Sequence, residues 1–203
     1  GLHRPRSRPL EAPRRTPLGL TMQLASQRTL PVTQAQAWEA LNDVALLQSA
    51  IPGCEQLVAS APNHYDVLLQ VAVGPVKARF KGKLQLEDLQ PPNSYVMRFE
   101  GQGGAAGHGK GTAKVRLEAA GANETVLHYE AQASVGGKIA QVGSRLVDMA
   151  AQKVAGEFFE AFENALRERY VPVQTLPVPA AAPPLGLFAR LRAWLARLFG
   201  RGG

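Results

Sequence analysis

The chain has 203 residues, enough for one compact domain with tails, a formal net charge of +7 and a single cysteine, Cys54. One cysteine excludes an internal disulfide framework and fits a reducing compartment. Residues 1–21 carry +4 and residues 185–203 carry another +4, which leaves the 163 residues between them at −1; a nucleic-acid-binding fold carries its basic footprint on the body, so that class is set aside.

Residues 1–21 hold Pro5, Pro9, Pro13, Pro17 and five arginines, with no apolar run. They lack the continuous apolar region of a signal peptide. They read as a disordered extension upstream of a natural start at Met22, the alternative being a basic arm. Residues 23–30 form a first strand. Thr33 is the expected N-cap of a short helix with Ala37, Trp38 and Leu41 on one face. A second short helix follows from Asp43 and stops before Ile51-Pro52-Gly53.

Clear period-two alternation then begins. Val76, Ala78, Phe80, Gly82, Leu84 and Leu86 oppose Lys77, Arg79, Lys81, Lys83, Gln85 and Glu87, one dry face and one wet face of an antiparallel strand. Tyr65, Val67, Leu69, Val71 and Val73 share a face, as do Tyr95, Met97 and Phe99. So do Val115 and Leu117, and Leu127, Tyr129 and Ala131. After Gly136-Gly137 the period changes to about 3.6, and residues 138–169 read as one long helix with Ile139, Val142, Leu146, Ala150, Val154, Phe158, Ala161 and Ala165 in a stripe.

The order is strand, two short helices, six strands, long helix. Consecutive hairpins make an antiparallel sheet, and only the last helix is long enough to cover its dry face. The inward positions are rich in glycine and alanine, which permits curvature and leaves volume for a cavity between sheet and helix. Its expected lining is Tyr65, Val67, Leu69, Phe80, Tyr95, Met97, Phe99, Tyr129, Ile139, Val142, Gly143, Leu146 and Ala150.

Catalytic chemistry finds little support. His108 and His128 fall on outward positions, no second ligand stands at metal spacing, and the inner face offers no carboxylate pair. The glycines between Gly101 and Gly111 are not followed by a helix, so they do not form a phosphate cradle. Tyr65, Tyr95 and Tyr129 are the inward polar handles. Their hydroxyls either bond a ligand carbonyl or sit in water at strand ends. The outward row Lys77, Arg79, Lys81, Lys83, Lys110, Lys114 and Arg116 either docks an acidic partner or is a solvated sheet face.

Residues 171–184 are uncharged and Pro/Ala-rich, a tether of roughly 40 Å at about 3 Å per residue. In residues 185–203 a helix would gather Leu187, Phe188, Leu191, Trp194, Leu195, Leu198 and Phe199 in an apolar arc of roughly 140°. Arg190, Arg192 and Arg197 flank it, and no acid is present. Such a segment lies on an anionic membrane, with arginines reaching phosphates; the alternative is packing on the body or on a partner. It is too short to span a bilayer, which needs about 20 apolar residues.

The order of elements resembles the helix-grip fold of the START-like (SRPBCC) superfamily, an α+β fold with a curved sheet of about seven strands around a long helix. Three stretches narrow it: Ile51-Pro52-Gly53-Cys54, Val73-Gly74-Pro75-Val76 leading to Phe80-Lys81-Gly82, and Val135-Gly136-Gly137-Lys138-Ile139-Ala140. Together they are similar to the carbon monoxide dehydrogenase G-subunit family, over about residues 22–170. That resemblance implies a non-enzymatic role beside a molybdenum-containing CO dehydrogenase or related hydroxylase. It implies a quinone or other apolar lipid as carried ligand, and a cytoplasmic location on the inner face of the cell membrane. The alternative within the same resemblance is a recruitment or assembly factor without a carried ligand.

Overall fold

A computed structural model describes residues 19–172. The elements are β1 (Leu20–Leu30), α1 (Gln34–Leu41), α2 (Val44–Ala50), β2 (Cys54–Ala61), β3 (His64–Val73), β4 (Val76–Gln90), β5 (Ser94–Gln102), β6 (His108–Gly121), β7 (Glu124–Gly136), α3 (Lys138–Gln141) and α4 (Ser144–Tyr170), with a 3₁₀ turn at Gly104–Ala106 between β5 and β6. The seven strands form one antiparallel sheet in the order β1-β7-β6-β5-β4-β3-β2. This is the expected helix-grip arrangement. Leu20 and Thr21, placed outside the fold on sequence grounds, belong to β1 and pair with Val135 and Ser134. The tether beyond Pro172 and the amphipathic segment with Leu187 to Phe199 lie outside the described residues.

Local chemistry explains the first helices. The Thr33 hydroxyl accepts from the Gln36 amide at 3.2 Å, while the Gln36 side chain accepts from the Thr33 amide at 3.0 Å, a reciprocal capping box. Asp43 caps α2 by accepting from the Leu46 amide at 3.0 Å. Its other oxygen accepts from Arg169 at 2.6 Å, which ties the last turn of α4 to the start of α2.

The long C-terminal helix is not continuous. α3 ends at Gln141, Gly143 has φ +97°, and α4 begins at Ser144. The buried stripe of α4 is Val147, Phe159, Phe162 and Leu166. Leu146 and Val154, expected to face inward, are 37% and 43% exposed. The break at Gly143 shifts the local phase, so that Val147 and Phe159 are buried with Ala151 and Ala155 half-buried between them, while Val142, Ala150, Phe158, Ala161 and Ala165 of the expected stripe still pack on the core.

The core is consequently in two parts. The larger cluster joins Leu30, Val32, Ala37, Ala40, Leu41 and Leu46 to Tyr95, Val115, Leu117, Leu127, Phe159, Phe162 and Leu166. The smaller joins Val73, Ile139 and Val147, with Leu20, Met22, Val71, Phe80, Val135, Val142 and Ala150 packed around them. Among the described residues no helix is long and apolar enough to cross a membrane.

The Asp43 clamp makes a measurable prediction. Asp43→Ala should lower stability by about 1 kcal/mol, the usual cost of losing an N-cap. Arg169→Ala should cost less, because the ion pair is partly exposed. The Leu46 amide first, and the Arg169 guanidinium second, hold the Asp43 carboxyl below its ordinary pKa. Its contribution is therefore complete above the unfolded carboxylate value near 4 and is lost as pH falls through the lower folded value. Urea denaturation of wild type and Asp43→Asn between pH 2 and 6 checks this; the variant should lose that part of the acid dependence.

Candidate functional site

The strand pairings place inward-facing residues in rows across the sheet. One row runs Met22, Ala133, Gly111, Phe99, Leu84, Tyr65, Ala59, and the next runs Leu20, Val135, Gly109, Gly101, Gly82, Val67, Leu57. Tyr65, Leu69, Leu84, Phe99 and Ala131 face the α4 side yet are only half-buried, and they belong to neither core cluster. Facing them, α4 presents Ala151 and Ala155, both half-buried, between the buried Val147 and Phe159. A helix stripe that reads large, small, small, large packs on the sheet at its two ends, and between them the facing apolar side chains are only half-buried.

The glycines do more than permit curvature. The Phe80 ring lies over Gly101 and Gly103; a Cβ on Gly103 would stand 2.5 Å from Phe80 Cε1. The Phe99 ring lies over Gly111, where a Cβ would stand 2.6 Å from Phe99 Cζ. Glycine there lets two large rings lie down on the sheet, so part of the volume expected to be empty is filled by Phe80 and Phe99. At the same end of the sheet, the β5–β6 connection packs backbone to backbone on the β7–α3 junction. Gly107 has φ +122° and Gly137 has φ +81°, and a Cβ on Gly137 would sit 2.5 Å from Gly107 Cα. These glycines serve a close approach of two chain segments.

The sequence-derived site residues divide sharply. Tyr65, Leu69 and Phe99 are half-buried on the inward face, with Val67 buried beside them. Phe80, Ile139, Val142 and Ala150 belong to the smaller cluster, and Tyr95, Met97 and Tyr129 to the larger one. Leu146 is corrected: it is exposed and lies against the β3–β4 turn, its Cδ1 3.1 Å from where a Cβ on Gly74 would be. Gly143 is the N-cap of α4, where the chain uses its positive φ. Leu84 and Ala131, read as inward but left out of the expected lining, and Ala151 and Ala155, read as off the helix stripe, are half-buried on the same side. So is Arg28, on the inward series of β1, whose guanidinium lies 5.5 Å from the Phe159 ring centroid; its even-numbered parity with Leu24 and Leu30 was the available signal. Tyr129 stacks on the same Phe159 ring, with centroids 4.9 Å apart and planes at 25°.

The outward face is a lattice of mixed charge. Asp66, Lys83, Glu100 and Lys110 stand in one cross-strand row of alternating sign. Arg98 pairs with Glu87 at 2.6 Å, Arg79 with Glu55 at 3.1 Å and Arg116 with Glu118 at 3.0 Å. Of the two readings of this face, the solvated one fits, because the acids interleave the cations. Two open concavities of about 750 and 660 Å³ lie here, over Lys83, Arg98, Glu100 and Lys110 and over Val58, Leu68 and Lys81. Burial pushes the Cys54 thiol up, which disfavours its thiolate. No group of three or more His, Cys, Asp and Glu is placed to hold a metal among the described residues.

A curved antiparallel sheet gripping a long C-terminal helix is the START-like fold. Solved structures of that class superpose on this chain. A conserved protein from Geobacillus kaustophilus is 26% identical with a TM-score of 0.69, over 72% of this chain and 96% of its own. A START superfamily protein from Mycobacterium smegmatis is 11% identical at 0.56, over 72% and 97%. The Zhui aromatase/cyclase from Streptomyces sp. R1128 is 14% identical at 0.56, over 74% and 98%. The model of the CoxG family, named for the G subunit of carbon monoxide dehydrogenase, matches residues 27–167, and the chain belongs to that family. Comparison with curated protein sequences gives no match. Enzymes such as the aromatase/cyclase share the fold, so the fold alone does not decide between binding and catalysis.

The glycine contact can be tested by substitution. Gly137→Ala should cost about 2–3 kcal/mol, from a positive φ together with a clash against backbone that cannot move aside. Gly104→Ala is the control: Gly104 also has positive φ, +59°, but nothing lies within 4 Å of its Cβ, so about 1 kcal/mol is expected. Guanidinium denaturation of both variants measures the difference.

Proposed function

We propose that this protein is a non-enzymatic, membrane-tethered carrier of an apolar ligand, a quinone, that couples a CO dehydrogenase-type molybdenum enzyme to the quinone pool of the membrane. The observation that carries this reading is the half-buried inner face, where Tyr65, Leu69, Leu84 and Phe99 stand opposite Ala151 and Ala155; a groove between them is where the ligand would lie. Half-exposed apolar side chains in a concave setting are stabilised by an apolar occupant, at about 25 cal/mol per Å² removed from water. Membership of the CoxG family supports CO dehydrogenase as the enzyme served. The acid-free arginine and leucine pattern of residues 185–203 supports attachment to an anionic lipid surface. A carried ligand and a lipid surface suit each other, since an apolar molecule is loaded where it is soluble.

Filling the groove tests the carrier role. Ala155→Phe should reduce binding of a short-chain quinone at least tenfold while the melting temperature stays within a few degrees. In a close-packed core the same change costs about 1–3 kcal/mol; unchanged binding with a large drop in melting temperature overturns the reading. The tail is tested by removing residues 185–203. The shortened protein should stay folded and cease to sediment with vesicles rich in anionic lipid. Binding of the full chain should weaken as salt rises, because such attractions are screened within about 10 Å at 0.1 M. Equal sedimentation of the shortened protein rules out the tail as anchor.

A further inference from the structure

A sheet that does not close on itself has two outer edges, and β2 forms one of them. Unpaired N–H and C=O groups along such an edge invite another strand, and natural sheets answer with lysines, prolines or bulges. Between Cys54 and Ala61 the single charged residue is Glu55, and Arg79 already engages it at 3.1 Å. Val58, opposite Asp66 on the outer face, is 46% exposed. Bulges interrupt the pairing with β3 at Cys54–Gln56 and at Ala59–Ala61, so the regular run is Gln56–Ala59.

A side chain stands on that run. Gln48, in the last turn of α2, donates from Nε2 to the Glu55 carbonyl at 3.2 Å and accepts at Oε1 from the Leu57 amide at 3.3 Å. One side-chain amide thus makes the donor-and-acceptor pair of contacts that a peptide of a neighbouring strand makes. The Leu57 N–H therefore points off the edge, and so does that of Ala59, two residues along the same regular run. Gln48 reaches this place through the Ile51-Pro52-Gly53-Cys54 turn. The Ile51 carbonyl accepts from the Cys54 amide at 3.2 Å, and the Gly53 carbonyl accepts from the Gln70 amide of β3 at 2.9 Å. Gly53 has φ +71°, and a Cβ there would collide with the Gln70 carbonyl oxygen, so only glycine permits the approach. The turn folds α2 back along β2, while the Asp43 cap and its Arg169 partner hold the other end of the helix. A motif that the ligand reading leaves idle thereby acquires a physical task.

We propose that Gln48 closes the outer edge of β2 against β2 of a second copy of this chain. The strand itself identifies what is excluded. In an antiparallel pair with Val58 opposite its counterpart, Leu57 faces Ala59 and Glu55 faces Ala61. No like charges meet in that register, and the exposed valines cover each other. Half of its hydrogen bonds run through the Leu57 N–H, which Gln48 already holds, and the Gln48 side chain stands in the path of the incoming strand.

Two measurements on the full chain test this. Amide hydrogen exchange compares Leu57 with Ala59, both of which point off the edge. In wild type Leu57 should exchange about tenfold more slowly than Ala59, and Gln48→Ala should erase the difference. Sedimentation velocity at rising concentration should show Gln48→Ala associating while wild type stays monomeric. Adding Val58→Lys to Gln48→Ala should restore the monomer, because two lysines would then face each other. Equal exchange at Leu57 and Ala59 in wild type overturns the proposal, and decides the matter even if Gln48→Ala folds poorly. A folded Gln48→Ala protein that stays monomeric at every concentration overturns it too. So does wild type that associates as strongly as the variant, or association of Gln48→Ala that survives Val58→Lys.

Discussion

One helix cannot cover seven strands. At about 4.8 Å between strands the sheet is roughly 29 Å across, while a helix with its side chains is about 10–12 Å wide. The 27 residues of α4 run for about 40 Å, long enough to cross the sheet but not to blanket it. The chain resolves the mismatch by concentrating bulk at the two ends of the helix. Phe159, Phe162 and Leu166 dock with α1, α2 and the adjoining strands, while Val147 docks on Val73 and Ile139. The interval between holds Ala151 and Ala155, opposite the half-buried inner face of the sheet where the Phe99 ring lies on Gly111.

The fold was legible because its signals are local. Period-two alternation marked the strands, Thr33 and Asp43 marked helix starts, and Gly136-Gly137 marked the change of period. The site was less legible for a reason that can be located. The apolar pattern continues through Val142, Gly143 and Ser144 as though the helix did, so a single inward stripe phased from Ile139 misplaces part of α4. Leu146 and Val154 are exposed, and Ala151 and Ala155 are half-buried between Val147 and Phe159. No periodicity reports a backbone φ of +97° at Gly143. The alternation of β4 also named Leu84 and Phe80 as inward without saying which is packed and which lines open space. That distinction depends on the helix crossing above, not on the strand.

Solved relatives sharpen what the fold decides. A START superfamily protein and an aromatase/cyclase superpose on the same sheet and helix with similar scores. That likeness is one of fold, and what distinguishes this chain is a few inward positions. In this chain those positions are phenols, phenyl rings and small side chains. The outer face, with its rows of alternating charge, keeps such a sheet soluble on the side the helix never reaches.

The register of β1 has a kinetic meaning. From Cys54 to Gly136 every strand pairs with its immediate successor through a short connection, so six strands can zip from local contacts. β1 alone pairs across a long interval, Leu20 with Val135 and Leu30 with Thr125. Closing a loop of about a hundred residues costs more entropy than any hairpin turn. The six-strand meander is thus the part that forms without help, and β1 is the clasp that completes it. Because α4 follows β7 in the chain and lies on β1, both β1 and α4 join the meander only through long-range contacts.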